Sequence, residues 1–204
     1  MATFDPAYER AAAPEGGWCH VSGDAGGETY VGITRVFHPE AAVWPLIDAQ
    51  KSHSSFRQGA LAFSRHLATL PELAAAVKEH YRAEWWDRMG LERFPQRVAN
   101  EVFEESVNMG RAGAGKYLQR FCNAFNYQKV NGQDSRLFVD LAEDGAVGPK
   151  TLDALGIVLK RRVDEDAAVH ALNCLQGAHY LGIGAKRLSQ RKFVAGWMTR
   201  THDD

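Results

Sequence analysis

The stretch PEGGWCHVSGDAGGETYVGIT, from Pro14 to Thr34, decides how the start of this chain folds. It holds six of the chain's 19 glycines, so a continuous helix is unfavourable there. The run ETYVGIT at its end has the composition of a short strand that follows a turn. We therefore predict a small β or loop region near the N-terminus, with Glu15, Asp24 and Thr29 among its polar side chains.

Beyond this stretch, from Ala41 onward, apolar residues recur at helical spacing. One helix face is predicted to carry Phe56, Ala60, Leu61, Phe63 and Leu67. Further helices are predicted to open at Pro71 and Pro149, to close at Gly110, and to cover the segments AGKYLQRFCNAFN and DEDAAVHALNCLQGAHYLGIGAKRL. The fold class that follows is mainly α, with a small β or loop lobe near the N-terminus and a helical C-terminal half.

Composition excludes several classes of protein. The 204 residues carry a net charge of −1, whereas nucleic-acid-binding domains show a basic excess, so no nucleic-acid partner is expected. No apolar run approaches the length of about 18 residues that spans a membrane. The N-terminus MATFDPAYER lacks the basic and apolar regions of a signal peptide. We expect synthesis in the cytoplasm, and action on an outside substrate only after release.

The sequence also lacks the usual metal-binding patterns. Cys19, Cys122 and Cys174 are widely spaced, and the eight histidines form no HExxH motif. The sequence therefore predicts free thiols, no metal site and no cofactor.

Glu15 lies in a setting that suits acid catalysis on a sugar. Hydrolysis of a glycosidic bond needs a carboxylic acid that protonates the leaving oxygen, and apolar surroundings raise the pKa of such an acid. Gly16 and Gly17 let the backbone turn away from Glu15, and Trp18 supplies an apolar wall. Each of these residues also has an ordinary interpretation as a turn or strand residue, which spacing alone favours.

The whole pattern resembles glycoside hydrolase family 108, the bacterial and phage N-acetylmuramidases. The family pattern is Glu-Gly-Gly-aromatic, then Asp-x-Gly-Gly-Glu-Thr-x-x-Gly-Ile-Thr or Ala, and it matches from Glu15 to Trp18 and from Asp24 to Thr34. The segments FHPEAAVWPLID and YRAEWWD resemble later blocks of the family. In the second half, VFEESVNMG, YLQR and DGAVGPKTLDAL resemble a predicted peptidoglycan-binding domain, so the resemblance covers nearly the whole chain.

The resemblance implies a lysozyme-like fold and a set of site residues. Glu15 takes the place of the general acid, and Asp24 or Thr29 would hold or activate the water. The residues expected to contact substrate are Trp18, Glu28, Tyr30, Thr34, His38, Trp86 and Asn108. The implied partner is the peptidoglycan glycan strand, cut between N-acetylmuramic acid and N-acetylglucosamine. An aromatic pair on a helix usually packs into the core, so one of Trp85 and Trp86 is expected to be buried.

The resemblance also implies how the chain is divided. Residues 1–90 are expected to form the catalytic region, and residues 91–204 a helical peptidoglycan-binding-like region packed with it as one lysozyme-like unit. Pro14 departs from the family, whose members usually continue a helix into the glutamate, because proline disfavours the α conformation at Ala13.

Two alternatives stay open at the level of sequence. A non-catalytic cell-wall-binding or secretion-assisting protein could use the same scaffold, with Pro14 marking a decayed site. A lytic transglycosylase would need no residue to activate water and would leave an anhydro-muramic end. For export, a holin or a secretion machinery is the expected partner.

Overall fold

The computed structural model describes residues 1–11, 16–20 and 26–201, so Glu15 and Asp24 lie outside the described residues. Contacts divide the chain into two compact units. The small unit comprises residues 12–84, and the large unit comprises residues 1–11 together with 85–204. The first helix, α1 (Phe4–Ala11), therefore belongs to the same unit as the second half of the chain.

The small unit contains a short antiparallel sheet and several helices. Its strands are β1 (Trp18–His20), β2 (Glu28–Tyr30) and β3 (Ile33–Thr34), in that order across the sheet. Its helices are α2 (Val43–Gln50), α3 (Ser54–Arg57), α4 (Ala60–Leu67) and α5 (Pro71–Tyr81). The strand predicted over ETYVGIT is confirmed, and it forms two strands joined by a tight turn.

The helix face predicted around Phe63 is only partly right. Phe63 and Leu67 are fully buried in the core of the small unit, but Leu61 is 66% exposed. Gly59 has a φ of +104°, which side-chain-bearing residues rarely adopt, and it separates α3 from α4. The prediction of one continuous face is therefore wrong, because the helix is interrupted at this glycine.

The large unit is built around α6 (Gln96–Met109). This helix packs against α1, α7 (Arg111–Ala124) and α9 (Glu165–Lys186). The unit also contains α8 (Pro149–Arg161), α10 (Arg191–Met198), and a hairpin of β4 (Gln128–Val130) and β5 (Gln133–Ser135) that the sequence pattern does not predict. Between α5 and α6 the chain forms a π-helical turn over Arg82–Trp86 and 3₁₀ turns over Asp87–Met89 and Leu91–Arg93.

Several helix ends follow the signals in the sequence. Pro71 and Pro149 stand at the first positions of α5 and α8, where a missing N–H costs little. Gly110 ends α6 with a φ of +81°. These predicted boundaries are confirmed, and the chain is mainly α with a small sheet near its start, as predicted.

The division of the chain can be compared with the predicted regions 1–90 and 91–204. In the structure the junction between the units falls between residues 84 and 85, and α1 joins the later residues. The packing of both regions as one lysozyme-like unit stays a prediction.

Candidate active site

The two glycines that follow Glu15 are explained by the backbone around them. Gly16 has a φ of +117°, in the region that favours glycine. A Cβ atom on Gly17 would overlap the side chain of Ser64 in α4. The backbone N–H of Trp18 donates to the hydroxyl of the same Ser64 at 2.8 Å. The segment that leaves Glu15 is therefore fixed directly on α4, at a distance that only glycine allows.

The β2–β3 hairpin turns through an unusual pair of residues. Val31 and Gly32 have φ values of +47° and +76°. Positive φ angles at both central residues are typical of the two-residue turn that joins the strands of a hairpin. A β-branched residue rarely adopts a positive φ, so the conformation of Val31 needs support from its surroundings. Tyr81 of α5 supplies it, because its hydroxyl donates to the carbonyl of Val31 at 3.0 Å.

One face of the sheet brings Thr29 and Thr34 together. They are partners across β2 and β3, and cross-strand partners project to the same face. A Cβ on Gly26 would lie 3.1 Å from the Thr34 methyl and 3.6 Å from the Thr29 hydroxyl, so Gly26 lets the chain pass beside both. Both threonines are half-buried. Since a hydroxyl can donate and accept, such a pair can orient a water molecule.

Glu28 occupies the other face of the same strand. It is 7% exposed, and its carboxylate accepts from the Trp18 indole at 2.5 Å and from Lys51 at 2.9 Å. It also pairs with Arg35. Burial raises the pKa of Glu28, but the hydrogen bonds from Lys51, Trp18 and Arg35 outweigh burial and hold this pKa below its ordinary value. The carboxylate is therefore charged and already occupied by protein donors.

Asp48 of α2 extends this ionic cluster. Both Arg35 and Lys51 also bond to Asp48, and the Arg35 guanidinium lies 5.0 Å from the centre of the Trp44 ring. The hydrogen bond from Arg35, followed by that from Lys51, lowers the pKa of Asp48 to about 2. The cluster ties β2 to α2. The predicted contact of Glu28 with substrate stays a prediction.

The other predicted substrate contacts of the small unit lie around the sheet. The Trp18 ring packs edge-on against Phe63 in the core, and Tyr30 is 5% exposed. His38 is half-buried, and its backbone N–H donates to the Thr34 carbonyl at 2.9 Å. The centre of its ring lies 4.8 Å from the centre of the His80 ring. Their roles toward sugar stay predictions.

The large unit holds the two remaining predicted contacts. Trp86 is 3% exposed and packs edge-on against Phe4 and Phe103, so the structure places it in the core rather than on an accessible surface. Of the tryptophan pair, Trp86 is the buried member, and Trp85 donates to the Ser106 carbonyl at 3.1 Å. Asn108 is exposed in the last turn of α6, and its predicted contact with substrate stays a prediction.

Sequence reasoning missed a charged cluster in the large unit. Arg10, in the last turn of α1, forms ion pairs at 3.3 Å with Glu101 and with Glu104 of α6. Glu105 beside them is fully buried. A signal was present in the sequence, because these glutamates interrupt the apolar face of α6. Arg10 therefore anchors the end of α1, five positions before Glu15 in the sequence.

The described residues hold neither a metal-binding cluster nor a helix that could cross a membrane. Within residues 1–11, 16–20 and 26–201, no three His, Cys, Asp or Glu side chains are grouped so that they could hold a metal ion. In the same residues, no helix combines the length and the apolar composition that crossing a bilayer requires.

Comparison with known proteins supports the resemblance seen in the sequence. The model of glycosyl hydrolase family 108 matches residues 8–110, half of the chain, and a model described as a predicted peptidoglycan domain matches residues 114–202. Comparison with curated proteins finds no match. The solved structure of SagA from Brucella abortus is similar in fold, with a TM-score of 0.50 and 20% sequence identity. The similarity covers 98% of this chain and 97% of SagA.

These findings agree with each other over the length of the chain. The similarity to SagA shows a shared fold, which is mainly α with a minor β lobe and consistent with the predicted lysozyme-like fold. The first family match contains Glu15, Asp24 and Thr29. The chain therefore belongs to glycosyl hydrolase family 108, as a glycoside hydrolase that also carries a peptidoglycan-binding domain.

Proposed function

We propose that this protein is an N-acetylmuramidase that hydrolyses the peptidoglycan strand between N-acetylmuramic acid and N-acetylglucosamine. The observation that carries the proposal is the family match over residues 8–110, because this range contains the Glu15-Gly16-Gly17 motif. The second match, to a predicted peptidoglycan domain, supports the same polymer as substrate.

Glu15 is assigned the role of general acid. Its carboxyl group donates a proton to the glycosidic oxygen while the bond from that oxygen to the sugar breaks. A proton donor of this kind must be held in place to act. The segment that follows Glu15 supports this role, because Gly17 and Trp18 are fixed on Ser64.

Asp24 or Thr29 is assigned to the water that attacks the sugar. The transition state resembles an oxocarbenium ion, and water must approach the face opposite the leaving group for inversion. Thr29 and Thr34 share one face of the sheet, which supports a role for their hydroxyls in orienting that water. We therefore expect inversion of configuration at the anomeric carbon.

Clearance of isolated peptidoglycan sacculi tests the proposal. Glu15→Gln removes the acid and should lower the clearing rate by about a hundredfold or more. Glu9→Gln is the matched control, because Glu9 is exposed on α1 and is assigned no role. Circular dichroism confirms that both variants are folded. Clearing by Glu15→Gln at the wild-type rate would show that Glu15 is not the acid.

The alternatives differ in their products. Hydrolysis leaves reducing muramic acid ends, whereas a lytic transglycosylase leaves 1,6-anhydro ends, and mass spectrometry separates the two. A protein that only binds the cell wall releases no fragments from sacculi. Reducing ends from the wild type, absent with Glu15→Gln, are the expected result.

We also propose that the protein is made in the cytoplasm and reaches the cell wall through a holin or a secretion machinery. The match to a predicted peptidoglycan domain supports the cell wall as the destination. Bacteria that express the protein together with a holin should lyse, while expression without the holin should leave them intact. Equal lysis in both cultures would contradict the dependence on a holin.

A further inference from the structure

A cavity in the large unit has no part in the chemistry proposed for Glu15. It has a volume of about 970 Å³ and lies among α7, α8 and the segment 138–148 that leads into α8. Sites for small ligands commonly have volumes of about 300–1,000 Å³. The cavity falls within residues 114–202, which match the predicted peptidoglycan domain.

Side-chain amides of α7 and of Asn126, two residues after its end, hold the wall of this cavity in place. Asn126 accepts from the backbone N–H groups of Leu137 at 2.8 Å and Phe138 at 3.0 Å, and it donates to the Phe138 carbonyl at 2.8 Å. One turn earlier, Asn123 both donates to the Leu141 carbonyl and accepts from the Leu141 N–H, at 2.9 and 2.8 Å. The irregular wall is therefore bonded both to the last turn of α7 and to the residues directly after it.

Gln119 continues this series toward the start of α8. It accepts from the Gly145 N–H at 2.8 Å and donates to the Ala146 carbonyl at 3.1 Å. Gly145 lies so close to α7 that a Cβ on it would overlap the Ala112 carbonyl. We call Gln119, Asn123 and Asn126 the amide ladder. Because the ladder fixes the segment before any ligand arrives, the cavity is pre-organised, which lowers the entropic cost of binding.

The lining of the cavity combines apolar surface with charges of both signs. Val139, Leu141 and Ile157 contribute apolar surface, and Val139 is 86% exposed. Lys150 lines the cavity and makes no ion pair with any of the described residues. Asp144 and Asp153 line it as well; Asp144 accepts from Gln119 at 2.8 Å, and Asp153 forms an exposed ion pair with Arg93 at 3.1 Å. An occupant that fits must therefore present small apolar groups together with at least one carboxylate and one ammonium group.

The stem peptide of peptidoglycan carries all three kinds of group. The stem carries alanine methyl groups, free carboxylates, and the side-chain ammonium of a diamino acid. The glycan strand has neither alanine side chains nor an ammonium, and sugars favour flat aromatic surfaces, which the lining offers only at the half-buried Phe138. Charge and shape therefore favour the peptide over the sugar.

We propose that this cavity binds the stem peptide of peptidoglycan. Lys150 pairs with a stem carboxylate, Asp144 or Asp153 receives the ammonium group, and the apolar wall at Val139 receives an alanine methyl. The inference rests on the proposed cell-wall substrate, but not on Glu15 or on any catalytic step. Its consequence is that the protein recognises peptide and glycan through separate surfaces.

Titration of the full-length protein with the free tetrapeptide L-Ala–γ-D-Glu–meso-diaminopimelate–D-Ala tests the inference. Val139→Asp and Lys150→Glu should each weaken binding by about tenfold, the effect of losing one good contact. The matched controls are Val130→Asp on β4 and Lys186→Glu on α9, which change the same residue types at exposed positions outside the cavity. Both controls should bind as the wild type does.

A second measurement separates this inference from the proposed function. The protein should sediment with intact sacculi more strongly than with sacculi whose stems have been removed by an amidase. Clearing of sacculi without any binding of the tetrapeptide overturns the stem site and leaves the proposed function standing. Binding of the tetrapeptide without clearing supports the stem site and overturns the proposed function. Equal retention on stripped and intact sacculi would show that the stem peptide adds nothing to binding and would overturn the stem site.

Discussion

Tyr81, the last residue of α5, donates its hydroxyl hydrogen to the carbonyl oxygen of Val31 across 3.0 Å. Val31 has a φ of +47° at the tip of the hairpin that carries Thr29 and Thr34. A Cβ on the neighbouring Gly32 would lie only 2.8 Å from the same hydroxyl. The position of the two threonines therefore depends on a helix outside the sheet.

Replacement of Tyr81 by phenylalanine should destabilise this hairpin. The change leaves a buried carbonyl without its donor, which costs about 1 kcal/mol of unfolding free energy. Urea denaturation followed by circular dichroism measures the loss. Tyr127→Phe is the control, because its hydrogen bond to Asp134 lies at the surface and should contribute less. Equal losses in the two variants would show that the Tyr81 bond has no special role.

The two residues assigned to water should matter less than the acid. Asp24→Asn and Thr29→Ala are expected to lower the rate of sacculus clearing by about tenfold to a hundredfold, which is less than Glu15→Gln, because other polar groups can orient water in part. Thr29→Ser keeps the hydroxyl and should retain most of the rate. Thr69→Ala, at an exposed hydroxyl of the same unit, is the control. A Thr29→Ser variant as slow as Thr29→Ala would mean that the methyl, not the hydroxyl, is required.

The ionic cluster around Asp48 should make the small unit sensitive to acid. Its pKa is lowered from 3.8 to about 2, chiefly by the hydrogen bond from Arg35. A carboxyl with a lowered pKa stabilises the fold fully above its unfolded value, and this contribution is lost as pH falls from 3.8 through about 2. The effect should be below about 1 kcal/mol, because Asp48 is partly exposed.

Melting temperatures measured between pH 2 and pH 5 test this expectation. Asp48→Asn should show a shallower decline of melting temperature with acid than the wild type does. Asp166→Asn is the control, since its ion pair with Arg97 is strongly exposed and should contribute little. Parallel curves for wild type and Asp48→Asn would contradict the role of the cluster.

Glu105 should have the opposite dependence on pH. It is fully buried, and neither of its carboxyl oxygens has a hydrogen-bond partner among the described residues. Burial, with the nearby charges of Glu101 and Glu104, raises the pKa of Glu105 well above its ordinary value. Such a group stabilises the fold below its unfolded pKa, and stability is lost as pH rises toward the folded pKa.

Glu105→Gln should therefore raise the melting temperature at neutral and alkaline pH. The gain should shrink as pH falls toward 4, because the glutamate is then protonated in the unfolded chain too. Glu9→Gln, at an exposed position of α1, should change little at any pH. A Glu105→Gln variant that is less stable than the wild type at pH 8 would contradict the expectation that the buried carboxyl of Glu105 destabilises the fold at high pH.

Local pattern predicted much of the fold. Pro71, Pro149 and Gly110 mark helix ends through backbone chemistry that acts within one turn, so the sequence alone reveals them. The interruption at Gly59 was missed because a glycine inside an apolar helical pattern signals a break only when the backbone adopts a positive φ. Leu61 is exposed because it lies two residues from the buried Phe63 in α4, on the opposite side of the helix.

The candidate site was less accessible to sequence reasoning. Thr29 and Thr34 are five residues apart, and a predicted hairpin brings them together without further information. The partners of Glu28 come from β1, from the β3–α2 segment and from after α2, so the sequence shows a polar residue but not that protein donors already occupy it. The burial of Trp86 likewise depends on Phe4 and Phe103, which are distant in the chain.

The amide ladder is the least predictable feature, and Asn126 is its best test. This side chain satisfies the backbone N–H groups of Leu137 and Phe138, and it also bonds to Asp140 at 2.9 Å. Asn126→Ala leaves these groups without a partner, so a loss of about 2 kcal/mol or more is expected from unpaired donors alone. Limited proteolysis should also show faster cleavage within residues 137–142, because the variant loses the side chain that accepts from the backbone N–H groups of Leu137 and Phe138.

Asn100→Ala on α6 is the matched control for Asn126→Ala. Its side chain accepts one hydrogen bond from Gln96 and holds no backbone segment, so stability and cleavage should stay close to wild type. Mass spectrometry of the fragments locates the cuts, and urea denaturation gives the stability. If the segment is pre-organised by the ladder, Asn126→Ala should also bind the stem tetrapeptide more weakly while Asn100→Ala binds normally. A destabilised Asn126→Ala variant with unchanged cleavage at 137–142 would mean that the segment keeps its conformation without the ladder.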